Sequence, residues 1–185
     1  IRENYLKKII LNKRDEKKII IDKLPLSIIE LGFIKIIFPN SKIILAMRHP
    51  CDVITSCFFT SFKINDSMIN FLQIKDTIDF YNCVFSLFEV YEKELNFEHT
   101  VVKYENVVNN FKHEIMNLLK FLGLEYETKL EKFYSTALNR PKISTPSYSQ
   151  VINPLYQSSI GRWENYEKIR KHKSKVNKWI LKYGY

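Results

Sequence analysis

Several short segments bring together residue types that hold a phosphate-bearing ligand. In Asp22-Lys23-Leu24-Pro25, Lys23 is a compact cationic donor steadied by the proline that follows, although a surface turn carries the same residue. In Arg48-His49-Pro50-Cys51-Asp52-Val53-Ile54-Thr55-Ser56, Arg48 offers a planar fork of N–H donors that matches a phosphate, and the Ser56 hydroxyl adds a further contact. Asp52 falls where a helix N-terminus favours negative charge and where it can order Arg48. The competing reading has Arg48 simply paired with a carboxylate. In Tyr104-Glu105 the ring can stack on a purine or hydrogen-bond to it, or fill a core. Downstream, Ser144 to Val151, with Ser147 and Gln150, and Ser159-Ile160-Gly161-Arg162-Trp163 combine hydroxyls, a cation and a glycine that lets backbone approach a ligand.

Other chemistries find little support. His49 neighbours a strand-end arginine and reads as structural, and His99, His113 and His172 have no metal-ligand spacing, so no metal is expected. Cys51, Cys57 and Cys83 form no C-x-x-C pair and suit a reducing compartment. With glycines only at 32, 123, 161 and 184, neither G-x-x-x-x-G-K-[ST] nor G-x-G-x-x-G can be complete within these 185 residues. The net charge of +9 is uneven: residues 1–18 carry 7 basic and 3 acidic side chains, residues 162–185 carry 8 and 2, and the middle is nearly neutral. Basic ends around a neutral centre read as solvated helices, so no nucleic-acid partner is expected. The most apolar stretch, Leu24 to Phe38, contains Glu30 and Lys35 and is shorter than the ~20 residues that span a bilayer, so no transmembrane segment is expected.

The elements that must position these residues follow from hydrophobic periodicity. Lys18–Asp22, Lys42–Met47 and Thr100–Tyr104 read as buried strands. Leu26–Phe38 reads as a mostly buried helix, and Pro50 opens another, since a proline's missing N–H costs nothing in a first turn. Phe71–Leu95 carries apolar residues every three or four positions, and a helix over Phe111–Leu122 stops at Gly123. Residues 139–161 read as an ordered loop, and a basic C-terminal helix turns Ile169, Val176, Trp179 and Ile180 inward. Strands alternating with helices imply a parallel sheet, whose ligands sit beyond the carboxyl ends of its strands. A sheet of three strands is thin, so further strands are expected upstream of Ile1. One domain is expected over 1–185, with 1–18 a leading helical segment and 168–185 the basic helix.

Taken in order, these segments resemble the sulfotransferase superfamily, and most closely the branch that follows tetratricopeptide repeats in other proteins. The resemblance runs from about Ile19 to Glu167. It rests on Asp22-Lys23-Leu24-Pro25, Phe38-Pro39-Asn40, Arg48-x-Pro50-x-Asp52-x-x-x-Ser56, Val102-x-Tyr104-Glu105, Leu118-Leu119-x-Phe121-Leu122-Gly123-Leu124, Ser147-x-x-Gln150-Val151 and Arg162-Trp163. It implies a P-loop-NTPase-like α/β three-layer sandwich and 3′-phosphoadenosine 5′-phosphosulfate as donor, without a metal. By the same resemblance Arg48 and Ser56 grip the 3′-phosphate, Tyr104 contacts the adenine, and Arg162 adds charge near that phosphate with Trp163 packed behind it. Lys23 corresponds to a cation near the transferring sulfuryl group in the related protein-tyrosine sulfotransferases, and Ser147 hydrogen-bonds the donor near the reacting sulfur.

The family's 5′-phosphosulfate loop, and the base that follows it, are expected upstream of Ile1. The chain is therefore expected to be a fragment that does not turn over by itself. The resemblance implies a hydroxyl acceptor, on a protein tyrosine, a carbohydrate or a small molecule. Two other readings stand beside this one. A P-loop kinase-like phosphotransferase would need carboxylates for Mg²⁺, of which Asp22 is the well-placed candidate. A non-catalytic basic module would bind through the two charged ends. The richness in Ile, Lys and Asn suits an AT-rich, microbial genome, and a cytoplasmic protein is expected.

Overall fold

The structure, a computed structural model, describes residues 1–10, 19–138 and 152–185. It is mixed α/β, with mostly helices around a small parallel sheet. In chain order the regular elements are α1 (Arg2–Ile10), α2 (Leu31–Ile37), β1 (Ile43–Met47), α3 (Pro50–Phe59), α4 (Ile74–Glu94), β2 (His99–Lys103), α5 (Tyr104–Asn109), α6 (Phe111–Leu122), α7 (Phe133–Leu138), α8 (Glu167–Arg170) and α9 (Asn177–Lys182), joined in places by 3-10 turns. The chain forms two compact units, one of residues 1–43 with 84–98, the other of residues 44–83 with 99–185.

In the first unit, Tyr5 donates its hydroxyl to the Asp22 carboxylate, and Lys42 pairs with Glu98 at 3.7 Å. Residues 19–22, expected to form the first strand, are exposed and irregular. A strand exists only through its ladder partner, and the described sheet consists of β1 and β2. The helix expected over Leu26–Phe38 is split into a 3-10 turn at Pro25–Ile28 and α2. The Ile29 carbonyl, which an unbroken helix would use internally, instead accepts the Tyr91 hydroxyl at 2.8 Å. Nor is this segment mostly buried: Leu31 is inside, whereas Phe33 and Ile36 face solvent.

The second unit pairs β1 with β2 and packs α3 against α8 and the turn at Arg162–Asn165. Leu45, Met47, Cys51, Ile54, Ile78 and Tyr81 are buried, together with Trp163, Ile169, Val176, Trp179 and Ile180. Ile169, Val176, Trp179 and Ile180 thus face inward as the periodicity of the C-terminal segment marks them, and Tyr183 is buried with them. The single helix expected there is broken instead into α8, a 3-10 turn at Lys173–Val176, and α9. Trp179 closes this core by donating its indole N–H to Asn82 at 2.7 Å. Helix α6 ends as expected at Gly123, which adopts φ 74° while the Gly123 and Leu124 amides return to the carbonyls of Lys120 and Leu119. No helix among the described residues is long and apolar enough to cross a membrane.

Candidate functional site

The carboxyl ends of β1 and β2 present Arg48 and Tyr104 side by side. Arg48 leaves β1 where Pro50 begins α3, and Tyr104 is the first residue of α5, immediately after β2. The guanidinium carbon lies 5.4 Å from the centroid of the Tyr104 ring, within cation–π range. Arg48 Nη2 donates to the Ser159 carbonyl and stands 3.7 Å from Asp52 Oδ1, while the Tyr104 hydroxyl donates to the Tyr156 carbonyl at 2.8 Å. Burial raises the Tyr104 pKa, with Tyr156 adding to that effect and Arg48 opposing it.

Asp52 organises the other side. It is fully buried in the first turn of α3; Oδ2 accepts the Gly161 N–H at 2.8 Å and Oδ1 the Trp163 N–H at 3.0 Å. Arg48 thus leans on a carboxylate, as one of the two sequence readings has it, but that carboxylate spends its direct hydrogen bonds on the 161–163 backbone. Ser56 is half-buried one helical turn beyond Asp52 and on the same face of α3. Its carbonyl accepts from both the amide and the hydroxyl of Thr60.

His49 is structural, as its context suggests. Its Nδ1 accepts the Cys51 amide at 3.2 Å and so caps α3, and its ring stacks on Trp163 with centroids 5.1 Å apart and planes 5° from parallel. Burial lowers its pKa, against the raising effects of Asp52 and Glu105. Trp163 is buried by this stack, and Lys173 Nζ covers it at 5.2 Å. Arg162 instead faces solvent, its guanidinium carbon 5.9 Å from the Phe59 ring and 6.0 Å from that of Tyr166.

Arg48, Ser56, Tyr104, Arg162 and Trp163 thus belong to one compact unit. Lys23 belongs to the other, exposed just before the turn at Pro25. Ser147 and Gln150 lie outside the described residues. The carbonyls of Tyr156 and Ser159 escaped sequence reasoning, because a backbone carbonyl is present at every residue and carries no signature. The capping of residues 161–163 by Asp52 was missed for a related reason: its partners are amides 109 and 111 positions away. Among the described residues no group of His, Cys, Asp and Glu is placed to hold a metal ion.

Two similarities to known proteins bear on this chain. A protein of Aquifex aeolicus (strain VF5), described as an uncharacterized protein, is 29% identical over 150 residues, covering 80% of this chain and 19% of its own. The chain thus spans about a fifth of that relative's length. The model of the sulfotransferase family matches residues 1–128, a span that contains Lys23, Arg48, Ser56 and Tyr104 and stops short of Arg162. On that match, over more than half its length, the chain belongs to the sulfotransferase family.

Proposed function

We propose that this chain supplies the nucleotide-holding part of a sulfotransferase that takes its sulfuryl group from 3′-phosphoadenosine 5′-phosphosulfate and passes it to a hydroxyl acceptor. The observation that carries the reading is the placement of Arg48 at the end of a parallel strand, over the Tyr104 ring and beside a segment anchored by Asp52. The residues suit the donor. Arg48 Nε is buried and has no hydrogen-bond partner among the described residues, so it is a donor that a phosphate oxygen would satisfy. The Ser159 carbonyl, now on Nη2, is the group with which that oxygen would compete.

In this reading Arg48 and Ser56 hold the 3′-phosphate and Tyr104 meets the adenine. Arg162 adds positive charge near the phosphate, and Trp163 backs the segment that carries it. Lys23 serves the sulfuryl end, with Ser147 near the reacting sulfur. The donor, when bound, supplies an activated sulfuryl group whose in-line transfer spreads charge over equatorial oxygens, much as phosphoryl transfer does. Fixed cations and backbone N–H groups stabilise such charge because they need no reorganisation as it develops. These residues therefore bind, orient and neutralise. The fold proposed for the whole catalytic domain is the P-loop-like α/β sandwich that the family resemblance implies.

The test is calorimetry of the full-length protein with 3′,5′-adenosine bisphosphate. Arg48→Ala is expected to weaken binding by about tenfold or more, the weight of a charge-assisted contact. Unchanged affinity overturns the assignment.

A further inference from the structure

We infer that Glu105 is a positioning residue for Arg48, acting through the peptide that joins Arg48 to His49; this rests on the donor-binding reading above. The observation is a crossing of the two strand ends. Glu105 lies just past β2, yet its Oε1 accepts the backbone N–H of His49 at 2.8 Å, across 56 residues of sequence. That N–H belongs to the peptide unit whose carbonyl carbon is Arg48's own. The neighbouring Tyr104 carries the guanidinium on its ring at 5.4 Å. Consecutive residues of one strand end therefore hold Arg48 at both extremities, Glu105 at its backbone and Tyr104 at its head. The arginine has many rotamers, and fixing both ends removes much of the entropy that binding would otherwise cost.

The carboxylate also faces a buried tyrosine hydroxyl. Glu105 Oε2 is buried, and the buried Tyr185 hydroxyl lies beside this carboxylate, which helps burial to raise the Tyr185 pKa. The Tyr185 ring meets His49 edge-on at 5.5 Å and receives Lys103 Nζ over its face at 4.9 Å. Lys103 also donates to the Gly184 carbonyl at 3.3 Å. Tyr185, fixed in this way by its neighbours, flanks the Glu105 carboxylate.

The test measures affinity for two probes in the full-length protein, 3′,5′-adenosine bisphosphate and adenosine 5′-monophosphate, which lacks the phosphate assigned to Arg48. Glu105→Ala is expected to lose about tenfold on the bisphosphate and little on the monophosphate, a selective loss that general destabilisation does not produce. Val176→Ala, a truncation of a buried core residue that is given no part in holding the donor, is the control: it should lower the melting temperature and leave the ratio of the two affinities unchanged. Glu105→Gln, whose carbonyl can still accept the His49 N–H, should stay near wild type. Glu105→Asp keeps the charge but falls short by a methylene, and should lose selectivity. These last two carry the test if the alanine variant does not fold. Equal losses on both probes, or a glutamine variant as weak as the aspartate one, overturn the inference. If Arg48→Ala weakens the bisphosphate while no Glu105 variant does, this inference fails and the donor reading stands. If Arg48→Ala changes nothing, the donor reading itself fails.

Discussion

Asp52 accepts the backbone N–H of Trp163 at 3.0 Å while fully enclosed by protein, which makes one carboxylate the tether between the start of α3 and a segment 111 residues later. Its other oxygen takes the Gly161 N–H. Replacing Asp52 with Ala orphans both amides and leaves Arg48 without its nearby counter-charge. Breaking such a buried charged network costs about 3–5 kcal/mol. Asp52→Asn retains one acceptor but turns an NH₂ toward the second amide, so it should recover only part of the loss. Urea denaturation of the two variants checks this; an alanine variant as stable as wild type contradicts the tether.

The α3 cap should make stability depend on pH. His49 Nδ1 accepts the Cys51 amide, which requires the neutral ring, and burial lowers its pKa below the ordinary 6.5. The unfolded chain therefore binds a proton at His49 before the folded chain does. Stability contributed by this group is fully present above the unfolded value and is lost as pH falls below it, until the folded ring also titrates. Denaturation midpoints compared above and below pH 6.5 should fall more in wild type than in His49→Asn, whose side chain can cap the helix without titrating. The other histidines are common to both proteins and cancel in the comparison.

Gly161 sits at φ 69°, where side chains strain the backbone. The space itself is open, since a Cβ there would approach Glu164 no closer than 3.8 Å. The cost of Gly161→Ala should therefore be backbone strain, about 1–2 kcal/mol. Gly161→Asn should lose less, because asparagine tolerates this conformation better. Thermal melts of both variants decide it, and an alanine variant no less stable than asparagine would show that the turn does not demand this φ.

Arg162 and Ser56 should separate stability from binding. Arg162 is exposed; among the described residues it lies over the Phe59 and Tyr166 rings and donates to the Tyr166 hydroxyl at 3.4 Å, so Arg162→Ala should change the melting temperature little. If it adds charge near the 3′-phosphate, the same variant should bind 3′,5′-adenosine bisphosphate several-fold more weakly at low salt, with the difference shrinking as salt rises. Ser56→Ala should weaken binding without that salt dependence, because it removes a neutral donor. Calorimetry at two ionic strengths distinguishes the pair.

How much was legible beforehand depends on the range of the interactions involved. The strand at Ile43–Met47, the helix opened by Pro50, the helix stop at Gly123 and the inward residues Ile169, Val176, Trp179 and Ile180 all follow from local periodicity or from one residue's backbone preference. Residues 19–22 show the limit. An Ile-Ile-Ile run is apolar enough for a buried strand, but it becomes one only where another strand offers a ladder. The break ahead of α2 likewise depends on Tyr91, whose hydroxyl takes the Ile29 carbonyl from 62 positions away.

The site divides the same way. Sequence by itself determined that Arg48 and Tyr104 stand at the strand ends and Ser56 on the helix that Pro50 opens, because residue type and spacing mark all three. Tertiary structure decided what those side chains touch: the Ser159 and Tyr156 carbonyls, the amides tied to Asp52, and the His49 peptide held by Glu105. Most of these partners are backbone groups, chemically the same at nearly every position. Only the path of the chain selects which of them comes within hydrogen-bonding distance.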